Sequence, residues 1–286
     1  YDPSSGTLYW GVGNPSPPYN GSGRAGPNLH SNSLLALDAH TGALRWHFQY
    51  MEHEQFDFDA IEIPMLLDLP GRRIIATAQR NGFYYTFDRA TGRFLTGRPF
   101  AQVTWATGLD SLGKAILNPG AAPSPEGTEI YPGDGGATNW WSPSYSSGTG
   151  LFYVAVTEKP GLYYSAPAPY QKGAPYVGGD VGAVPGRASL SSIRALVPAT
   201  GALAWDRVLP EPTGSLGGLL STDGDLVLGG DEDLFYALDA RNGTILWTFK
   251  TGAHIAASPV AYRAFGRQQI SIVAGRDLMT FTLDGR

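Results

Sequence analysis

Two carboxylates separated by a single residue are the strongest candidates for chemistry in this sequence. Asp57 and Asp59 lie in the segment 53–59 (HEQFDFD), where acidic and aromatic residues alternate. If the segment is extended, both carboxylates point to one face, about 7 Å apart. Two ionised carboxylates repel each other in a poorly solvated site, so they need a cation between them or one must carry a proton. An exposed acidic loop is the alternative.

Three further segments place polar side chains among glycine, proline and tryptophan. Asn14, which precedes a proline, offers a neutral oxygen ligand for a hard cation. Arg80, which precedes an Asn-Gly pair, could hold a carbonyl or carboxylate oxygen with its planar fork of donors. Asn139 and Trp140, within 135–143 (GGATNWWSP), would suit a flat ligand with polar edges. Each also has a plainer explanation: an Asn-Pro turn, a surface arginine, and tryptophans that pack between sheets.

The composition predicts many short strands joined by tight turns, because the chain holds 38 Gly and 22 Pro and is 12% aromatic. A net charge of −5 with 20 Lys and Arg provides no basic stripe, so nucleic acid is not an expected partner. No run of about 18 apolar residues predicts a membrane span. The lack of cysteine excludes disulfides, thiol catalysis and c-type haem attachment in this chain. The start, without Met or signal peptide, suggests that an N-terminal portion is missing.

A repeat predicts the elements that position these residues. Each copy consists of a strand of alternating polar and apolar residues, a turn that ends on Gly, and a second strand. Three copies also carry a Trp that can pack on a neighbouring copy. The copies cover residues 35–46, 85–95, 194–205 and 236–247, and a truncated fifth covers 280–285. The repeat predicts an all-β fold, a partial β-propeller of about four to five blades. A β-sandwich with repeated hairpins is the alternative.

The spacing of the turn glycines predicts how the blades are arranged along the chain. Glycines 42, 92, 201 and 243 lie 50, 109 and 42 residues apart. The outer intervals suit one four-stranded blade each, and the long one suits two blades with large loops near 110–137 and 158–190. Residues 1–286 are therefore expected to form a single propeller segment without an internal domain boundary. Half a ring exposes apolar faces, so the segment implies a missing N-terminal half as its partner.

Together, the polar segments closely resemble the methanol and alcohol dehydrogenases that use pyrroloquinoline quinone (PQQ). The resemblance covers nearly the whole chain, and the segments that carry it are Asp2-Pro3, Gly13-Asn14-Pro15, Phe56-Asp57, Arg80-Asn81-Gly82, Asn139-Trp140-Trp141 and 217–222 (GGLLST). It implies the C-terminal half of an eight-bladed quinoprotein propeller with tryptophan-docking repeats. The family's glutamate metal ligand, paired-cysteine disulfide and stacking tryptophan are not found in this chain and would lie upstream.

The resemblance also implies a metal site. Asn14 matches the family's amide ligand, and Asp57 matches the catalytic aspartate, a general base that also lies against the metal. Asp59 matches an additional aspartate of the lanthanide-using members, where calcium-using members typically have a small or neutral residue. Since a trivalent ion calls for more anionic oxygen ligands than a divalent one, the residue type agrees with a lanthanide, with calcium as the alternative.

The implied activity is PQQ-dependent oxidation of a primary alcohol to an aldehyde. Arg80 matches the residue that holds the quinone oxygens, and Asn139 and Trp140 match further cofactor contacts. The same resemblance implies a periplasmic protein whose electrons pass to a c-type cytochrome. The isolated segment, without its partner half, is expected to be inactive. Two other functions stay open from the residues: a non-catalytic propeller scaffold, and a glycoside-cleaving propeller that uses Asp57 or Glu54 as an acid-base pair.

Overall fold

The computed structural model describes residues 1–210 and 216–282, which form short antiparallel strands and two 3₁₀ turns at Gly21–Gly23 and Pro119–Ala121. The strands of the first part are β1 (Thr7–Val12), β2 (Ser33–Asp38), β3 (Leu44–Gln49), β4 (Met65–Leu69), β5 (Arg72–Ala78), β6 (Phe83–Asp88), β7 (Phe94–Pro99), β8 (Ala106–Leu109), β9 (Ala115–Leu117) and β10 (Thr128–Ile130). Those of the second part are β11 (Ser144–Ser146), β12 (Leu151–Glu158), β13 (Gly161–Ser165), β14 (Gly179–Ala183), β15 (Leu190–Val197), β16 (Ala202–Val208), β17 (Leu220–Ser221), β18 (Leu226–Asp231), β19 (Leu234–Asp239), β20 (Ile245–Lys250), β21 (Val260–Ala264), β22 (Arg267–Ala274) and β23 (Asp277–Thr282).

The described chain divides into two compact units. The first unit comprises Tyr1–Asn139 and Glu158–Ala188, and the second comprises Trp140–Thr157 and the described residues of Ser189–Arg286. The first unit holds the sheets β1-β2-β3, β4-β5-β6-β7, β8-β9 and β10-β13-β14. The second holds β11-β12-β15-β16, β17-β18-β19-β20 and β21-β22-β23. A single propeller segment over residues 1–286 stays a prediction.

Each of the first four copies of the repeat forms the last hairpin of one of these antiparallel sheets. This position is expected if each sheet is a meander that makes one propeller blade. The fifth copy begins in β23, and its residues 283–285 lie outside the described ranges. In the described ranges, no helix is long and apolar enough to cross a membrane.

The repeated turn is closed by local hydrogen bonds. In the first copy, Asp38 Oδ1 accepts bonds from the backbone N–H groups of His40 (3.0 Å) and Thr41 (2.9 Å), and the Gly42 N–H donates to the Asp38 carbonyl (2.8 Å). Gly42 has a φ of 72°, in the left-handed region that glycine enters at little cost. The same backbone bond and a positive φ recur at Gly92, Gly201 and Gly243. The turn therefore follows from local sequence.

An aromatic pair from one sheet packs on the turn of the next, as the repeat predicted. In the first unit, Trp46 lies 5.7 Å from the ring of Tyr9, and a methyl group added to Gly92 would come within 2.5 Å of the indole. In the second unit, Trp205 Nε1 and the Tyr153 hydroxyl both donate to the Ala240 carbonyl at 3.0 Å. In the second unit, a buried indole with a satisfied N–H thus binds one sheet to the next.

The two stretches predicted as large loops contain strands instead. The stretch 110–137 holds β9 and β10, and the stretch 158–190 holds the hairpin β13-β14. This hairpin lies between β12 and β15 in the chain, but its strand β13 pairs with β10 of the first unit. These strands are only three to five residues long, which is too short for an alternating pattern to identify them in the sequence.

Candidate active site

The Asp57 loop is anchored by two buried phenylalanines in the first unit. Phe56 and Phe58 are buried with their ring centroids 5.5 Å apart, and both pack on the buried indole of Trp105. The segment is not a strand, however, because Asp57 has a φ of 59°, in the left-handed region. The expectation of one extended run is therefore wrong at Asp57, where the backbone turns and gives the two carboxylates different surroundings.

Glu54 fixes the path of this loop from inside. Its side chain is fully buried, and Oε1 accepts hydrogen bonds from the backbone N–H groups of Phe56 and Phe58. Burial raises the pKa of Glu54 to about 7. One oxygen of Glu54 is bonded to the loop backbone, and the carboxyl is inaccessible to a substrate. Glu54 therefore does not form the acid-base pair with Asp57 that a glycoside-cleaving propeller would need.

Asp57 is half-buried and has one hydrogen-bonded oxygen. The Tyr19 hydroxyl donates to Asp57 Oδ2 over 3.4 Å, and no hydrogen bond to Oδ1 is found in the described part of the chain. Burial raises the pKa of Asp57 above its usual value, against the opposing charge of Arg80, while the carboxylates of Asp59 and Asp134 raise it further. A partly desolvated carboxylate with one uncommitted oxygen can accept a proton.

Asp59 joins Asn14 to Arg80. Its Oδ1 accepts the backbone N–H of Asn14 at 3.0 Å, and its Oδ2 accepts Arg80 Nη1 at 2.7 Å. A Cβ at Gly13 would lie 2.4 Å from Asp59 Oδ1, so only glycine permits this approach. The structure thus brings three of the predicted site residues into direct contact.

Arg80 is held at a turn and is mostly buried. It lies between β5 and β6, where Gly82 has a φ of 91°, and its side chain is 12% exposed. Arg80 Nε donates to the Asp134 carbonyl at 2.8 Å, and Nη2 donates to the same oxygen. The surface-arginine explanation is therefore wrong, whereas the Asn-Gly turn is present, with the Asn81 side chain capping the Phe83 N–H at 3.0 Å.

The glycine-rich loop before Asn139 packs directly on Arg80. A Cβ at Gly136 would lie 2.1 Å from Arg80 Cγ, and the Ala137 N–H donates to the Arg80 carbonyl at 3.0 Å. Asn139 Nδ2 donates to the Gly135 carbonyl at 3.0 Å and so closes its own loop. Trp140 belongs to the second unit, where 52% of its surface is exposed.

The donor set of the first unit fits an oxygen-preferring cation. Asn14 Nδ2 donates to the Pro15 carbonyl, which leaves the amide oxygen without a bond in the described ranges, and the Asp57 and Asp59 carboxylates are two residues apart in the first unit. Amide and carboxylate oxygens are the ligands that calcium-like ions prefer. No group of three or more His, Cys, Asp or Glu arranged to hold a metal occurs among residues 1–210 and 216–282. A metal held here therefore needs ligands beyond this set.

Three site residues were missed by the sequence reasoning. Tyr19 touches Asp57, the Asp134 carbonyl holds Arg80, and the carboxyl of Glu62 is buried near the Asp59–Arg80 pair. The Asp-Gly-Gly turn that contains Asp134 was the one available signal, since such turns bring backbone close to other groups. The tyrosine and the glutamate are single residues in unpatterned segments.

Comparison with known proteins places these observations in a family context. Residues 1–104 match the family model described as the β-propeller domain of glucose, ethanol and alcohol dehydrogenases, and residues 189–273 match one described as the outer membrane protein assembly factor BamB. The chain is 36% identical to the quinoprotein alcohol dehydrogenase PedH of Pseudomonas putida, over 96% of this chain and 48% of that protein. It is 34% identical to the quinohemoprotein alcohol dehydrogenase ADH IIB of Pseudomonas putida, over 96% of this chain and 41% of that protein.

Solved structures confirm the predicted fold class. The quinohemoprotein alcohol dehydrogenase ADHIIG of Pseudomonas putida HK5 superposes with a TM-score of 0.89 at 30% identity, over 97% of this chain and 44% of its own. A europium-containing methanol dehydrogenase superposes with a TM-score of 0.88 at 27% identity, over 95% of this chain and 49% of its own. The chain is a partial β-propeller, and it spans about half the length of the curated relatives it matches.

Proposed function

This chain belongs to the family of PQQ-dependent quinoprotein alcohol dehydrogenases, and we propose that it carries the general base and the quinone-binding arginine for oxidation of a primary alcohol to an aldehyde. The observation that supports this proposal most is the pairing of Arg80 with Asp59 at 2.7 Å, beside Asp57. Two carboxylates of one loop and a cation 21 residues after Asp59 lie in one partly buried cluster. A scaffold made of structural repeats has no need for that arrangement.

The chain's own groups would divide the chemistry between them. Asp57 takes the hydroxyl proton of the alcohol, since it is partly desolvated and has an oxygen free of hydrogen bonds. The guanidinium of Arg80, held by Asp59 and the Asp134 carbonyl, stabilises negative charge on quinone oxygens. A bound PQQ would supply the hydride acceptor, and a bound metal ion would supply Lewis acidity. Asn139 and Trp140 complete the cofactor contacts in this proposal.

The metal would be held by oxygen atoms of Asn14, Asp57 and Asp59. We infer a lanthanide rather than calcium, because two carboxylates on one ion suit a trivalent charge. The similarity to a europium-containing methanol dehydrogenase supports that choice. The remaining ligands would come from an N-terminal half of the propeller, which the proposal requires as the partner of this chain.

The proposed setting follows from the family. The enzyme acts in the periplasm on a small alcohol, and its electrons pass to a c-type cytochrome. The isolated segment is expected to be inactive, since it lacks the ligands and pocket walls of the other half.

The decisive experiment replaces Asp57 with Asn in the protein at its full natural length. We expect the rate of dye-linked alcohol oxidation to fall by roughly 10²–10⁴-fold, because the amide cannot accept the proton. The visible absorbance of bound PQQ and the circular dichroism of the fold should persist. The matched control is Asp277→Asn, since Asp277 is an exposed carboxylate on β23, and it should retain wild-type turnover.

Two results would count against the proposal. Near-normal oxidation by the Asp57→Asn variant would remove this residue from the base role. A wild-type protein that neither binds PQQ nor oxidises alcohols would favour the non-catalytic scaffold.

A further inference from the structure

Tyr19 is the side chain that contacts the proposed base, yet nothing in its sequence neighbourhood marks it. Its hydroxyl donates to Asp57 Oδ2 over 3.4 Å, and only 9% of the residue is exposed. A carboxylate oxygen can only accept, so the phenol hydroxyl is the donor in this contact. A donor at one oxygen leaves the other oxygen of Asp57 as the acceptor.

The backbone of Tyr19 is fixed by the β13-β14 hairpin. The Tyr19 N–H donates to the Val177 carbonyl at 3.1 Å, next to the start of β14. A Cβ at Gly178 would lie 2.8 Å from Asn20 Cβ, and one at Gly179 would lie 2.9 Å from Tyr19 Cβ. Both glycines have positive φ, at 69° and 152°. The hairpin therefore approaches Tyr19 more closely than any residue with a side chain would allow.

The same hairpin also packs against the loop that carries Asp57. Tyr163 on β13 is fully buried, and its ring packs edge-on against Tyr19 at 6.1 Å and against Phe56 at 5.8 Å. One inserted element thus contacts both the tyrosine and the loop that carries the base. Two groups held by one rigid support keep a constant separation, which is what a catalytic geometry requires.

We propose that Tyr19 is a positioning residue for the alcohol oxidation: held by the β13-β14 hairpin, its hydroxyl orients the Asp57 carboxylate so that Oδ1 is the oxygen that accepts the substrate proton. This inference rests on the proposed function. The proton leaves the alcohol oxygen and bonds to Oδ1, while the hydride of the same alcohol carbon goes to the quinone. Tyr19 neither gains nor loses a proton.

Two tyrosine-to-phenylalanine variants separate this role from simple packing. Tyr19→Phe keeps the ring against Tyr163 and removes only the donor to Asp57. Tyr163→Phe is the matched control, because it also removes one buried hydroxyl, which donates to the Pro132 carbonyl at 3.4 Å and not to Asp57. Both variants should unfold at temperatures close to the wild type.

The test uses the full-length protein loaded with PQQ and lanthanum. For Tyr19→Phe, kcat should fall on the order of tenfold while KM for the alcohol changes less than about twofold, since a misplaced base affects the transition state and not substrate binding. Tyr163→Phe should keep the wild-type kcat. Crystal structures of the unloaded proteins give a second readout: the Asp57 carboxylate should hold one orientation in the wild type and Tyr163→Phe, and change orientation in Tyr19→Phe.

The outcomes are distinguishable. Unchanged kcat and an unchanged Asp57 orientation in Tyr19→Phe overturn the positioning role and leave the proposed function intact. Equal losses in both variants also overturn it, because packing would then explain the effect. A wild-type protein without PQQ-dependent turnover overturns the proposed function and, with it, the catalytic meaning of Tyr19; the crystal structures then show only whether the hydroxyl orients the carboxylate.

Discussion

The guanidinium of Arg80 donates a hydrogen bond to Asp59 Oδ2 over 2.7 Å, in an ion pair whose side chains are 12% and 27% exposed. The other oxygen of Asp59 accepts the backbone N–H of Asn14 at 3.0 Å. Asp59 therefore links the segment proposed to hold the metal with the residue proposed to hold the quinone. Removing one member of such a pair leaves the other partly buried and unpaired, which costs more than the pair contributes.

Replacing Asp59 with Ala should shift metal preference from lanthanide toward calcium. The variant loses one negative charge from the proposed ligand set, and a trivalent ion depends on that charge more than a divalent one. We expect activation by lanthanum to fall at least tenfold relative to activation by calcium, measured by titrating the metal-free, full-length enzyme.

Asp68→Ala serves as the control, since Asp68 is an exposed carboxylate that pairs with Arg73 and Arg89 and is outside the proposed ligand set. An unchanged ratio of lanthanum to calcium activation in Asp59→Ala would rule out the lanthanide assignment based on this residue.

Alanine at Gly92 should destabilise the protein more than alanine at Gly42. Both glycines have φ near 71° and close equivalent turns, so both variants lose about 1–2 kcal/mol from left-handed strain. A Cβ at Gly92 would also lie 2.5 Å from Trp46, whereas nothing lies within 4 Å at Gly42. Overpacking should add about 1–3 kcal/mol at Gly92. Urea unfolding measures both free energies, and equal losses would mean that Trp46 does not dock on this turn.

The repeats could be predicted from sequence because their determinants are local. Asp38 and Gly42 close one turn within five residues, and the same spacing recurs along the chain. The docking of Trp205 could also be foreseen, since a Trp recurs at this position in three copies and a large aromatic side chain is stabilised by packing on a neighbouring sheet. The repeat period was therefore enough to predict an all-β propeller, which the comparisons confirm.

The connections of the candidate site could not be predicted in the same way. Arg80 and Asp59 are 21 residues apart, and Tyr19 and Asp57 are 38 apart, so their contacts depend on how sheets and loops are arranged. The alternation of acidic and aromatic residues predicted an extended segment, but the backbone turns at Asp57, where φ is 59°. The β13-β14 hairpin pairs with a strand about 30 residues upstream, and no period in the sequence marks that pairing.

Substituting Trp205 by Phe should cost more stability than the same change at Trp247. Trp205 is 9% exposed, and its Nε1 donates to the Ala240 carbonyl at 3.0 Å, whereas Trp247 at the equivalent repeat position is 40% exposed. The first variant loses a buried hydrogen bond and leaves that carbonyl with one donor fewer, for about 1–2 kcal/mol. The second should lose less than about 1 kcal/mol. Denaturant unfolding that ranks Trp247→Phe as the more damaging would contradict the docking argument.

The buried carboxyl of Glu62 should make the protein less stable as pH rises from 5 to 8. Glu62 is 3% exposed, and burial raises its pKa to about 8 from an ordinary value of 4.5. The folded state therefore holds a proton that the unfolded state releases above pH 4.5. The stability linked to that proton is complete below pH 4.5 and is lost progressively as pH rises through about 8.

Glu62→Gln isolates this effect, because the amide is neutral at every pH. Between pH 5 and pH 8, the free energy of unfolding of the wild type should fall by roughly 2–4 kcal/mol relative to the variant, measured on metal-free protein. His47, whose pKa burial lowers, and Glu54, whose pKa burial raises to about 7, titrate in both proteins and cancel in this difference. Glu126→Gln is the exposed control and should follow the wild type at each pH. Parallel curves for wild type and Glu62→Gln would mean that Glu62 is ionised in the folded protein, with its charge compensated by Arg80.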